Sequence, residues 1–222
     1  MRNLLLSCFV FSLLLSAGCA RQAAAPAAPV AVPAAADGLQ ARASGLDQVA
    51  AVFAFDLSGA SVYVAPVEID YRKRFDRATD KLRARDYELE TKDREKLNGL
   101  MAETFAERFL APRNSRLAQR RQNADYVLKL RLENFSLSAP LEPSAHYWRV
   151  YTQQSAYAVL TGTLYDRDGN PVMRFRDRRE IGDNFGRGVR GSNLDRFTSV
   201  TFWSDMKVDM RRAFGSLDKS LR

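Results

Sequence analysis

The sequence predicts an α+β domain, an antiparallel sheet with two long amphipathic helices packed on one face as a two-layer sandwich. Three observations predict it. Apolar residues recur at helical spacing in two long stretches, residues 97–109 and 203–221. Between them, residues 124–138, 155–165 and 171–181 have strand character, and an Asp-Gly turn joins the last two. A further β-branched segment precedes the first helix, so the order is strand, helix, antiparallel strands, closing helix, in which each apolar face needs another layer to cover it. The 222 residues, 46% hydrophobic, suffice for one domain with a real core and exclude collagen, coiled-coil and multi-span membrane classes.

In chain order, the first segment is an address. Arg2 gives a short positive start, and residues 4–17 (LLLSCFVFSLLLSA) carry no charge. These 14 residues fall short of the roughly 20 that a spanning helix needs, and the pattern is that of a bacterial export signal. The run LSAGC at 15–19 resembles the lipobox of bacterial lipoproteins, where small residues precede a Cys that takes a diacylglycerol and an amide-linked acyl chain such as palmitate. Leu15 stands four places before the Cys, where the strictest form of the motif has it three before. The resemblance implies that residues 1–18 are a signal peptide and that Cys19 is lipidated. Two or three acyl chains exceed the roughly two signals that stable membrane attachment takes. Ala20, in place of Asp, implies by the same resemblance sorting to the outer membrane, facing the periplasm. Cys8 leaves with the signal, and the mature chain then has no thiol for a disulfide, a metal or catalysis.

Residues 19–44 are expected to be the lipidated Cys and an Ala/Pro-rich tether. Pro26, Pro29 and Pro33 break any helix in the stretch 20–38. At about 3.1 Å per residue, a polyproline-like path over it reaches ~60 Å from the bilayer. A single periplasmic domain, residues 45–222, follows.

In that domain, residues 52–55 read as a short strand before the turn at 56–59, and residues 60–70 (ASVYVAPVEID) as a longer one. Residues 71–90 mix charges densely with few apolar anchors and read as a solvated loop. Thr91 offers an N-cap. Leu97, Leu100, Met101, Phe105 and Phe109 then trace one helical stripe until Pro112 stops it. In residues 124–138, Leu128, Leu130 and Leu132 alternate with Lys129, Arg131 and Glu133, the period of a half-buried strand. If the Asp168-Gly169 turn has two residues, Tyr165 faces Val172 and Gly162 faces Phe175, whose ring then covers the glycine. The last helix, residues 198–221, sets Trp203, Met206, Met210, Ala213, Phe214, Leu217 and Leu221 on one stripe. No internal repeat is present.

The lipobox and Ala/Pro tether, then SVYVAPVEI, an amphipathic helix, ADYVLKL, GTLYDRDGNPV and a Trp-containing terminal helix are together similar to an uncharacterised family of Gram-negative outer-membrane lipoproteins, a domain of unknown function. The resemblance covers most of the mature chain. It implies an envelope lipoprotein and supplies no catalytic residues.

Basic residues dominate the composition: 34 Lys plus Arg, 27 of them Arg, against 26 Asp plus Glu, for a net charge of +8. Arg174, Arg176 and Arg178 alternate along one predicted strand and so share a face, with Thr161 and Thr163 opposite, forming a stripe suited to anions. The bland account is a solvated face that discourages edge pairing. Residues 186–191 (GRGVRG) match G-x-G-x-x-G, but no second parallel strand with an acidic residue follows, so a dinucleotide site is excluded. The loop is either a plain glycine loop or an anion site built on Arg187 and Arg190. Ser144 and the single histidine, His146, lack an orienting third group and oxyanion donors, so no nucleophile–base pair is expected there. Asp166, Asp168 and Asn170 belong to the turn rather than to a cation loop. No metal, cofactor, catalytic residue or nucleic-acid partner is expected.

The expected function is that of a non-catalytic interaction module, lipid-anchored through Cys19, docking on an envelope protein as an assembly or transport accessory. The alternative is direct binding of lipopolysaccharide, anionic lipid or wall polymer by Arg174, Arg176, Arg178, Arg187 and Arg190.

Overall fold

A computed structural model describes residues 38–73, 87–142, 150–183 and 195–222. Its frame is an eight-stranded, mostly antiparallel sheet. Three long strands form the centre: β6 (Tyr126–Leu137), β8 (Ala156–Tyr165) and β9 (Pro171–Ile181). β8 lies between the other two and is antiparallel to both. Beyond β9 come β2 (Gln48–Ala51) and the edge strand β1 (Gln40–Ala41). On the other flank, β3 (Ser61–Val64) and β4 (Glu68–Tyr71) both pair with β6, and β5 (Arg116–Leu117) continues from β3. A separate two-stranded ribbon joins β7 (Val150–Thr152) to β10 (Asp195–Phe197).

Period-2 alternation builds the core. Leu128, Leu130 and Leu132 of β6, Ala156, Ala158, Leu160 and Leu164 of β8, and Met173 and Phe175 of β9 are all buried. Helices α1 (Thr91–Phe105) and α2 (Ser199–Ser220) add their stripes to the same core. Phe214 of α2 meets Phe175 edge-on at 6.2 Å between ring centroids and Phe105 of α1 at 5.3 Å, while Phe202 lies 6.4 Å from Phe135 of β6. Such aromatic pairs fix helix position as well as burying area.

Several sequence expectations are corrected. The expected single strand at 60–70 is two strands, because Pro66 has no N–H to give to a ladder. β3 and β4 run parallel to β6 on either side of that break, so the sheet is not wholly antiparallel. The expected strand at 52–55 lies earlier, at Gln48–Ala51, and Phe53 is 78% exposed. Part of the expected tether belongs to the fold: Leu39 is buried, and Gln40 and Ala41 pair with Ala51 and Ala50. Of the expected loop at 71–90, residues 74–86 lie outside the described residues; at its ends, Tyr87 and Leu89 are buried and the Tyr71 hydroxyl donates to the Tyr87 carbonyl at 2.6 Å. Glu90 rather than Thr91 caps α1, and its N–H donates to Asp93 Oδ2 at 3.2 Å. Phe202, not Trp203, occupies the core stripe of α2; Trp203 packs at its margin under Lys96, whose Nζ is 4.4 Å from the ring centroid.

The first helix does not run uniformly to Pro112. A π-helical turn, Ala106–Leu110, follows α1, and a 3₁₀ turn, Ala111–Arg113, ends the run at Asn114, which has a left-handed φ of 55°. The wider i→i+5 winding lets both Phe109 and Leu110 face the core after Phe105.

Candidate functional site

The register of the three central strands lays out their solvent face. Arg176 of β9 is opposite Thr161 of β8, which is opposite Arg131 of β6. The next row reads Arg174, Thr163, Lys129, and the row on the other side Arg178, Val159, Glu133. Strands stand about 4.8 Å apart and alternate residues about 7 Å apart along a strand. By those spacings adjacent cations stand about 7–10 Å apart, close to one Debye length, which is ~8 Å at physiological ionic strength, so the potentials of neighbours add while the most distant pairs are screened from each other. Thr161 and Thr163 give the face hydroxyl donors between the two basic columns.

Neutralisation on this face is partial. Glu133 Oε2 accepts from Arg176 Nη1 at 2.7 Å in a half-exposed pair. Asp47 takes the backbone N–H of Arg178, an exposed residue, at 2.9 Å. Glu68 is the register partner of Arg131, yet no carboxylate of the described residues lies within ion-pair distance of Arg131, Lys129 or Arg178. Burial separates this face from the one beneath it: Asp177 and Arg179, also on β9 but turned inward, pair with each other. Burial pushes the Asp177 carboxyl above its ordinary range, against the pull of the Arg179 guanidinium.

At the hairpin end, the face deepens into a cleft of about 330 Å³ whose lining includes Arg121, Gln122, Asp125, Lys129, Tyr165 and Arg167. Lys129 Nζ sits 5.0 Å from the Tyr165 ring centroid. Asp125 is fixed by Ser61, whose N–H and hydroxyl donate to Oδ2 at 2.8 and 2.6 Å, and by Arg167, which pairs with Oδ1. The Ser61 hydroxyl first, then its N–H and the Arg167 charge, hold this carboxyl below the usual carboxylate range. Asp166 is held low chiefly by the Asn170 N–H, which donates to its Oδ1 at 2.8 Å.

The hairpin that positions the cleft is not the expected two-residue turn. Gly169 N–H donates to the Asp166 carbonyl at 3.2 Å and Asp166 N–H to the Asn170 carbonyl at 3.0 Å. Gly169, at φ 85°, supplies the left-handed residue of this three-residue loop. A register shift next to Tyr165 absorbs the extra residue, so Tyr165 faces Pro171 instead of Val172, while Gly162 still faces Phe175. A Cβ on Gly162 would overlap the Phe175 ring.

At the far end of β9, Arg178 also lines a cleft of about 340 Å³ with Arg179, Glu180, Asp183, Asp209 and Arg212. Three acids there match three bases, so the unbalanced positive charge lies toward the hairpin end.

Of the site residues expected from sequence, Arg174, Arg176 and Arg178 share the outer face. Arg187 and Arg190 lie outside the described residues, as do Cys19, Ser144 and His146. Sequence reasoning missed Lys129, Arg131, Arg121 and Arg167. Lys129 and Arg131 were visible as the polar phase of the β6 alternation, but joining them to the β9 arginines requires the β6–β8 register.

The chain matches no family model and no curated protein. Among solved structures it is similar to a PelC dodecamer from Paraburkholderia phytofirmans, at 17% identity and a TM-score of 0.40 over 76% of this chain and 96% of that one. It is also similar to XCC0632 from Xanthomonas campestris, of the DUF330 family, at 11% identity and a TM-score of 0.37 over 75% and 85% of the two chains. A putative neuraminyllactose-binding hemagglutinin homologue from Helicobacter pylori is similar at 11% identity and a TM-score of 0.30 over 76% and 90%. Likenesses this distant assign no function to this chain.

Proposed function

We infer that the protein is a lipoprotein, anchored through Cys19 in the outer membrane and facing the periplasm, which acts as a non-catalytic interaction module of the cell envelope. It works by holding a polyanionic envelope ligand on the solvent face of its sheet. In this reading the domain is a two-layer sandwich: both helices cover one sheet face, and the other face is left for the ligand. The observation that carries the reading is the convergence of Lys129, Arg131, Arg174, Arg176 and Arg178 on that exposed face, around two threonines. Guanidinium groups suit the planar, bidentate recognition of carboxylate and phosphate. Lipopolysaccharide, anionic lipid and wall polymer share that chemistry, and the Ala/Pro-rich tether gives the domain reach beyond the lipid surface.

The experiment is crosslinking in intact cells, followed by purification of the tagged full-length chain under low- and high-salt washes. The reading expects anionic polymer or lipopolysaccharide to co-purify and to be lost at high salt. A stoichiometric envelope protein that survives high salt would replace it with an accessory subunit bound through an apolar interface. In parallel, Cys19→Ser should abolish palmitate labelling and release the chain from the membrane fraction. Continued labelling would refute the anchor.

A further inference from the structure

The hairpin-end cleft differs in chemistry from the rest of the basic face, and the difference points to a ligand class. Here Arg121, Lys129 and Arg167 share a wall with two carboxylates, Asp125 and Asp166. Both carboxylates are held below the ordinary range by hydrogen-bond donors, Asp125 chiefly by Ser61 of β3 and Asp166 by Asn170 of the hairpin. An isolated phosphate, or a chain of phosphates, meets those two anions as repulsion. A sugar acid brings a single carboxylate, which can lie on the cationic side, and neutral hydroxyls that can meet the two anions. Its carboxylate can pair with Arg121 and Lys129, its hydroxyls can donate to lone pairs that Asp125 and Asp166 still have free, and its apolar ring face can lie against Tyr165 and Val127. The cleft, about 330 Å³, falls within the roughly 300–1,000 Å³ typical of small-ligand sites.

We propose that this cleft binds a uronic-acid unit of an acidic polysaccharide, whose following units run along the sheet face past Thr163 and Thr161. The proposal rests on the polyanion reading and deepens it. Asp125 and Asp166 select for a hydroxylated ligand, and the cations select for its negative charge. Lys129 belongs to both the cleft and the face, so the two form one continuous track.

Calorimetric titration of the full-length chain in a neutral detergent tests it with three probes: trigalacturonate, maltotriose as the uncharged trisaccharide, and tripolyphosphate as the hydroxyl-free anion. Trigalacturonate should bind at least about tenfold more tightly than either of the others. Arg121→Ala should weaken it about fivefold through the loss of one charge-assisted contact. Asp166→Asn keeps an oxygen for the Asn170 N–H, so the hairpin stays folded. It should weaken trigalacturonate and strengthen tripolyphosphate, opposite shifts that a merely structural change would not produce. Suppose instead that tripolyphosphate binds as well as trigalacturonate, Arg174→Glu weakens both, and neither cleft variant matters. The saccharide proposal is then overturned while the polyanion reading stands. Failure of both anions to bind removes both.

Discussion

Gly162 and Phe175 face each other across β8 and β9, and the absent side chain of one makes room for the ring of the other. Gly162→Ala should cost about 1–3 kcal/mol in thermal or chemical unfolding, as overpacking does. Adding Phe175→Leu should recover part of that loss; an unshifted melting temperature in the single variant would show that the ring can move aside freely. The pair was expected from a two-residue turn, and it stands although the loop has three residues, because the register shift beside Tyr165 restores the pairing further along the strands. Asp177 was not legible. An acid among arginines reads as surface, and the neighbouring inward Arg179, with a backbone hydrogen bond from Asp47, makes its burial tenable. Tyr71 offers a pH test. Burial raises its hydroxyl to about 12 from an ordinary 10.0. The folded state holds this proton more tightly than the unfolded chain. Its contribution is therefore fully present below pH 10 and is lost as pH rises toward about 12. Wild-type stability should fall more steeply than that of Tyr71→Phe across this window, as followed by urea unfolding; parallel slopes would contradict the assignment.

The turns that close α1 and α2 meet at a buried ion pair. Arg113, in the 3₁₀ turn after α1, pairs with Asp218 near the end of α2, their side chains 11% and 6% exposed. Arg113 Nη1 also donates to the Phe109 carbonyl at 2.9 Å, and Arg222 Nη2 reaches Asp218 Oδ2 at 2.6 Å. Removing one partner leaves a desolvated charge, so Asp218→Ala should cost about 3–5 kcal/mol in urea unfolding. The double replacement Arg113→Met with Asp218→Leu should cost less than Asp218→Ala alone, and the reverse ranking would reject the desolvation argument. The long elements were legible because each holds its period over ten or more residues: α1, α2, β6, β8 and β9 lie within the expected stretches. The short ones were not. Strands of two to four residues such as β1, β4 and β5 carry no readable period, and the parallel pairing of β3 and β4 is set by β6 rather than by their own residues. Nor were the caps legible: Glu90 stands where Thr91 was expected, and at the start of α2 the Thr198 hydroxyl accepts the Thr201 N–H at 3.0 Å. Thr198→Ala should cost about 0.5–2 kcal/mol, read in the same unfolding series.

Over the whole molecule, a net charge of +8 makes nonspecific attraction to polyanions expected of any surface, so function has to be argued from where the charge sits. Half of the candidate site was legible, since period-2 spacing alone put Arg174, Arg176 and Arg178 on one face. The other half, Lys129 and Arg131, joins it through a strand pairing between distant segments, and Arg121 through a cleft that only the folded sheet forms. The most direct measurement is the salt dependence of lipopolysaccharide binding by the full-length chain, wild type beside the triple variant Arg174→Glu, Arg176→Glu and Arg178→Glu. The account predicts wild-type affinity that falls by about tenfold or more as ionic strength rises from low to physiological and beyond, and a triple variant that has lost most of that binding and its salt dependence. Binding that is indifferent to salt and equal in the two proteins would contradict it.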